Sequence, residues 1–205
     1  MTLFPAFLKL TDRRVVVIGG GSLAVQKIPS LLKAGARIWV VSPQINSQLA
    51  VWVRQEKIGW QSKRFSPDDL EGAFLVIAAT SLCNVNAAVY QEADRRNILC
   101  NAVDDIEHCH FYYGSVVQRG DLQIAVSTNS KSPALAQRLR KEFEMQFGPE
   151  YAAWVEWLGA AREVLRSQSS EPEAAKRWLH ALASQPMFEK FMEQANSSNS
   201  KQGVA

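Results

Sequence analysis

A doubly wound α/β fold built on a parallel sheet is predicted by three features of this sequence. First, a continuous apolar run, Val15-Val16-Val17-Ile18, enters Gly19-Gly20-Gly21 and is followed at once by an amphipathic stretch. That order reads as a strand buried on both faces, a tight turn and a helix start. Second, short apolar runs keep alternating with helix-length segments as far as position 103, which is the rhythm of βαβ units. Third, the rhythm breaks after Asp104, where a hairpin pattern and then a series of helical segments follow. A small α+β piece and a helical C-terminal part are therefore expected beyond the sheet.

Taken in order, Leu3-Phe4-Pro5-Ala6-Phe7-Leu8 is expected to form a short leading strand or a cap over the sheet. The first helix covers 22–34 and stops at Ala34-Gly35-Ala36, since glycine tolerates the left-handed turn that ends a helix. Arg37-Ile38-Trp39-Val40-Val41 is the second strand, and a second helix covers 45–57. Positions 59–64 form a short third strand, and Phe74-Leu75-Val76-Ile77-Ala78-Ala79 a strongly apolar fourth. A helix over 85–96 leads into Ile98-Leu99-Cys100-Asn101-Ala102-Val103, the fifth. Segments 115–119 and 122–127 pair as a hairpin across Gly120-Asp121. Ser132 before Pro133 is an N-cap and first-turn pair for a helix to about Phe147, stopped by Gly148-Pro149. Helices follow over 150–167, 172–183 and 186–194, and the polar tail 196–205 is expected to be disordered.

The spacing Gly19-x-Gly21-x-x-Ala24 has a chemistry of its own. Gly19 permits the torsions of the turn, Gly21 lets an anion approach the main chain, and Ala24 lets the helix pack close to the strand. The free N–H groups from Ser22 and Leu23 onward, at the positive end of the helix dipole, then face that anion. With Gly20 completing the turn, and with strand before and helix after, this reads as a dinucleotide site in a Rossmann-like sheet. The carboxylate that grips a ribose at the end of the second strand is missing; Ser42 stands there, followed by Pro43 and Gln44. These three are the ribose candidates, and no arginine follows immediately to take a 2′-phosphate, which favours NAD over NADP. Thr80 ends the fourth strand at the edge where ligands sit in such sheets. Asp104, after the fifth, is the candidate general base, with a turn-forming aspartate as the alternative.

Bulk properties narrow the function classes. The chain has 205 residues and a net charge of +3, too little to argue for nucleic acid but compatible with an anionic small molecule. No apolar run is long enough for a bilayer, and the start lacks the pattern of a signal peptide, so neither a membrane nor export is expected. Cys83, Cys100 and Cys109 are odd in number and unpatterned, which argues against disulfides and structural zinc and for the reducing cytoplasm. His108-Cys109-His110 puts its two imidazoles on one face of an extended segment and the thiol on the other, so no metal site is assigned. Trp154, Trp157 and Trp178 at helical spacing read as packing or an interface. Thr128-Asn129-Ser130-Lys131-Ser132, ending at a helix N-terminus with Arg138 downstream, suits carboxylates, although a plain capped helix is the blander reading.

Five stretches together resemble the precorrin-2 dehydrogenase family, the N-terminal module of siroheme synthase and its stand-alone relatives. They are Phe4-Pro5-Ala6-Phe7; Val17-Ile18-Gly19-Gly20-Gly21 with Ala24 and Lys27; Ala78-Ala79-Thr80 with Val85-Asn86; Cys100-Asn101-Ala102-Val103-Asp104-Asp105; and Ile124-Ala125-Val126-Ser127-Thr128 with Lys131-Ser132-Pro133-Ala134-Leu135-Ala136. The resemblance covers roughly the first 150 positions. It implies NAD-dependent oxidation of precorrin-2 to sirohydrochlorin, in some members followed by insertion of Fe2+ as substrate to give siroheme. It implies a homodimer built through the hairpin and following helix. It also implies NAD contacts at Ser22-Leu23 and Pro43-Gln44, and a part for Asp104 in both activities. Cations near the cleft would position the acidic tetrapyrrole, with Lys27, Arg119, Lys131 and Arg138 as candidates beside Thr128 and Ser132. Departures are Ile106 and Gly114 where proline is frequent, and Asn129-Ser130 in place of a frequent Gly-Gly. The resulting plan is an NAD-binding domain over 1–113, a dimerisation hairpin and helix over 114–148, a helical domain over 149–195 and the tail. A dehydrogenase without chelatase activity, or a non-catalytic NAD-sensing module, would share the glycine turn; the sensor gives no reason for Asp104 or for the Lys131-Ser132-Pro133 loop.

Overall fold

Five strands, β1 (Arg14–Ile18), β2 (Arg37–Val41), β3 (Gly59–Gln61), β4 (Leu75–Ala78) and β5 (Leu99–Ala102), form one sheet in the order β3-β2-β1-β4-β5. Every neighbouring pair runs parallel. The computed structural model describes residues 2–168 and 171–202, the last seven of these as backbone alone. The apolar run of β1 is explained by its central place. Val15 and Val17 face a layer with Ala24, Ile28 and Leu31 of α1 (Ser22–Lys33) and Leu49 of α2 (Ser47–Arg54). Val16 and Ile18 face the opposite layer with Val89 and Ala93 of α3 (Cys83–Arg95). Each of these β1 side chains is at most 2% exposed, and such burial stabilises by about 1.5–3 kcal/mol per side chain.

The departures from expectation have local causes. The segment over 3–8 forms no strand, and Phe4 and Phe7 are exposed; Leu10 is the first side chain to enter the core. Helix α2 starts only at Ser47, because Asn46 is its N-cap, accepting from Gln48 N at 2.8 Å, while its own N–H reaches back to Gly20 O at 2.7 Å. Strand β3 ends at Gln61, and the chain enters a 3-10 turn at Pro67–Leu70, capped by Ser66 and Asp69. A second 3-10 turn, Ile106–His108, follows β5. Neither turn was expected.

The chain divides into two compact units between Tyr112 and Tyr113. The second unit contains the antiparallel hairpin β6 (Ser115–Arg119) and β7 (Leu122–Val126), then α4 (Pro133–Gln146), α5 (Glu150–Gln168), α6 (Pro172–Leu182) and α7 (Gln185–Gln202). It is one unit, not the separate pieces 114–148 and 149–195 that the sequence suggested. Helix α5 packs back on the hairpin so closely that a Cβ on Gly120 would lie 3.1 Å from that of Ala152. Helix α7 continues past Gln194 through positions expected to be disordered. No glycine or proline interrupts the sequence between Met187 and Gln202, so nothing forces it to stop. Residues 203–205 of the expected tail lie outside the described residues. Among the described residues no helix is long and apolar enough to cross a membrane.

Candidate functional site

A cleft of about 880 Å³ opens at the carboxyl ends of β1, β2 and β4, roofed by the start of α3. The strand order reverses at β1, so this is the switch point where ligands bind in open α/β sheets. The three glycines there do different work. Gly19 has φ +113°, and a Cβ on it would lie 2.3 Å from Ala79 O. On Gly20 a Cβ would lie 2.2 Å from Gln44 O, whereas on Gly21 it would meet nothing within 4 Å. Gly19 and Gly20 thus let the turn pack against its neighbours, and Gly21 leaves the cleft floor open. Val25 N, bonded to Gly21 O at 3.2 Å, is the first intrahelical donor of α1. The N–H groups of Ser22, Leu23 and Ala24 head the helix with no carbonyl before them, and no side chain caps it. An open floor beneath free donors fits a pyrophosphate.

Ser42 and Pro43 form the adjoining wall. Ser42 is nearly buried, its carbonyl accepting from Trp60 Nε1 at 2.9 Å and its N–H donating to Gln61 O at 3.2 Å. Gln44 does not line the cleft; its carbonyl instead packs against Gly20, a correction to its expected contact with the nucleotide. Thr80 lines the opposite wall but its hydroxyl is committed, lying 2.7 Å from Asn86 Oδ1 and accepting from Leu82 N at 3.1 Å. Asn86 Nδ2 returns a bond to Thr80 O at 3.1 Å. The pair locks the loop that roofs the site, a role for Asn86 that its sequence position did not disclose. Arg64 and Phe65, also unanticipated, complete the lining beyond β3.

Asp104 follows β5 at the same edge of the sheet, on a left-handed turn with φ 62°. It is exposed, it does not line the cleft, and its carboxylate has no partner among the described residues. The residues after it are occupied structurally. His108 Nδ1 lies 2.7 Å from Asp105 Oδ2, and His110 Nδ1 accepts from Cys100 N at 3.0 Å while Nε2 lies 3.1 Å from Asp94 Oδ1. Both imidazoles pack on Tyr90, and Cys109 Sγ points the other way, toward Ala102 O. Burial pushes the Cys100 thiol up to about 12, with the nearby Cys109 and Asp105 adding to it, and burial raises Cys109 as well.

The remaining candidates divide. Lys27 is half-buried on α1 and outside the cleft lining. In the second unit Arg119 is spent on structure: its guanidinium donates to Phe147 O at 2.8 Å and Glu144 O at 3.1 Å, capping the end of α4. That corrects its assignment to substrate. Arg138 is exposed and paired with Glu142 at 3.0 Å. Ser132 is the N-cap of α4, accepting from Leu135 N at 3.3 Å, and its own N–H donates to Thr128 Oγ1 at 3.1 Å. Lys131 projects from this loop, exposed. Asn129 and Ser130 both have positive φ, 53° and 60°, so the loop keeps a glycine-like course without glycine.

Comparison with known proteins follows the same division. Residues 6–115 match a family model described as putative NAD(P)-binding, and residues 119–146 one described as sirohaem biosynthesis protein central. Siroheme synthase 2 of Yersinia pestis (strain Pestoides F) is 37% identical over 184 residues, 89% of this chain and 39% of that protein. Siroheme synthase 3 of Aeromonas hydrophila subsp. hydrophila is 32% identical over 202 residues, 98% of this chain and 43% of that protein. The chain thus spans about two fifths of these curated relatives. A solved structure titled SirC, precorrin-2 dehydrogenase, shares the fold with a TM-score of 0.77 at 22% identity, covering 95% of this chain and all of that one.

Proposed function

The chain belongs to the putative NAD(P)-binding family, and from that premise we propose that it oxidises precorrin-2 to sirohydrochlorin with NAD. The observation that carries this is the open floor at Gly21 beneath the free N–H groups of α1, set at the sheet's switch point. The names of the relatives that match along most of its length supply the substrate. Gly21, Ser22 and Leu23 would hold the pyrophosphate through main-chain N–H groups, and Ser42 and Pro43 would flank the ribose. Thr80 and Asn86 would keep the roof in place. When bound, the nicotinamide supplies a hydride acceptor. Removing hydrogen from the macrocycle as hydride also releases a proton, and the uncommitted Asp104 carboxylate is the base we assign to it. No preformed metal cage is required for a chelatase step, because the macrocycle brings its own nitrogens to Fe2+.

Lys131, Thr128, Ser132 and Arg138 remain proposed contacts for the substrate's carboxylates. A homodimer through β6, β7 and α4, in the cytoplasm, completes the reading. An anaerobic assay with precorrin-2 and NAD, followed by absorbance, tests it. We expect turnover in the wild type and a loss of at least a hundredfold in Asp104→Asn, with NAD binding retained. No spectral change with the wild type would refute the dehydrogenase. Repeating the assay on sirohydrochlorin with Fe2+ decides whether the same carboxylate serves insertion.

A further inference from the structure

Arg64 is the one charged side chain among the described residues that line the cleft. It is exposed and makes no hydrogen bond or ion pair among the described residues. Its neighbours are all committed. Ser62 Oγ donates to Pro43 O at 3.1 Å, and Lys63 Nζ is held by Asp69 Oδ1 at 2.6 Å and Ser66 Oγ at 3.2 Å. Ser66 N donates to the other oxygen of the buried Asp69 at 2.8 Å. The segment after β3 is therefore braced on both sides of Arg64 and leaves its guanidinium uncommitted on the lining shared with Ser42 and Pro43.

The end of β2 supplies the second half of the argument. In dinucleotide sheets a carboxylate there grips the ribose 2′-hydroxyl and repels a phosphate at that oxygen, while a nearby arginine accepts one. Here that position is the neutral Ser42, and no carboxylate lines the cleft among the described residues. A free guanidinium offers a planar fork matched to phosphate oxygens. We propose that Arg64 is a 2′-phosphate receptor, so that this chain binds NADP as well as NAD, and no more weakly. The proposal rests on the dinucleotide reading of the cleft. The arginine comes from the strand that pairs with β2 in space, not from the residues that follow β2 in the chain.

Calorimetric titration of the full chain with NAD, NADP, 5′-AMP and adenosine 2′,5′-bisphosphate tests it, using the wild type, Arg64→Gln and Arg64→Lys. We expect Arg64→Gln to raise the ratio of the NADP to the NAD Kd about tenfold, the two fragments to shift in parallel, and Arg64→Lys to fall between. A ratio changed less than about twofold, an equal loss for all four ligands, or wild-type NADP binding more than about tenfold weaker than NAD would each overturn the assignment. If the wild type binds neither dinucleotide, the cleft reading falls first and this one with it. If NAD binds and the ratio stays fixed, Arg64 alone is wrong.

Discussion

Three consecutive glycines look interchangeable in a sequence, yet their surroundings make opposite demands. A Cβ on Gly20 would lie 2.2 Å from a main-chain oxygen, which has no rotamer to yield, while one on Gly21 would enter open space. Gly20→Ala should therefore lower stability by about 1–3 kcal/mol, read from a urea melt. Gly21→Ala should leave stability within about 0.5 kcal/mol of the wild type but weaken dinucleotide binding about tenfold or more by obstructing the approach to the helix N–H groups. Equal melts for the two variants would contradict the crowding seen at Gly20. The loop before α4 gives a complementary case. Ser130 holds φ 60°, and a left-handed turn costs a residue with a Cβ about 1–2 kcal/mol. Ser130→Gly relieves that cost and adds back some unfolded-state freedom, so a net gain of about 0.5–1 kcal/mol is expected in thermal melts.

Among the elements, α3 shows how one helix serves both core and site. Val89 and Ala93 bury one face against the sheet, Asn86 in the first turn locks Thr80, and Glu92 near the end holds Arg95 and Arg96 together. The hydrogen bonds from Arg95 and Arg96 hold the Glu92 carboxyl down at about 2, well below its ordinary 4.5. A depressed carboxylate contributes stability that is fully present above the ordinary value and is lost as pH falls through the folded value. The melting-temperature difference between wild type and Glu92→Gln should therefore be level above about pH 5 and shrink toward nothing near pH 2. A difference that grew on acidification would contradict the pairing. Strands and helix α1 were legible because burial on two faces writes an unbroken apolar run, and a glycine turn writes its own spacing. Arg64 was not legible, because which strand lies beside β2 is decided by pairing across the sheet. Nor was the lock at Asn86, since a polar residue in a first helical turn has many uses. The end of α7 was missed for another reason: polar composition suggested disorder where no residue actually breaks a helix.

At the scale of the molecule the apolar core is shared unequally. The described buried apolar residues of the second unit are Val117, Ala136 and Trp154; all the others lie before Tyr113. The sheet unit holds two packed layers and every residue that lines the cleft. It meets the ordinary requirements of an independent domain of about a hundred residues. The second unit instead leaves Val116, Leu135, Met145, Trp157 and Trp178 exposed on its hairpin and helices, more apolar surface than a small monomeric unit usually shows. Two outcomes are expected of chain fragments. Residues 1–112 should be monomeric, unfold in one cooperative step and bind NAD within about threefold of the full chain, a difference of well under 1 kcal/mol. Residues 113–205 should either sediment as a dimer or unfold without a cooperative transition, since three buried apolar side chains cannot offset the chain entropy of that length. A monomeric, cooperatively folded C-terminal fragment would remove the reason to place the dimer contact on β6, β7 and α4. Failure of the N-terminal fragment to bind NAD would show that the cleft depends on residues beyond those that line it.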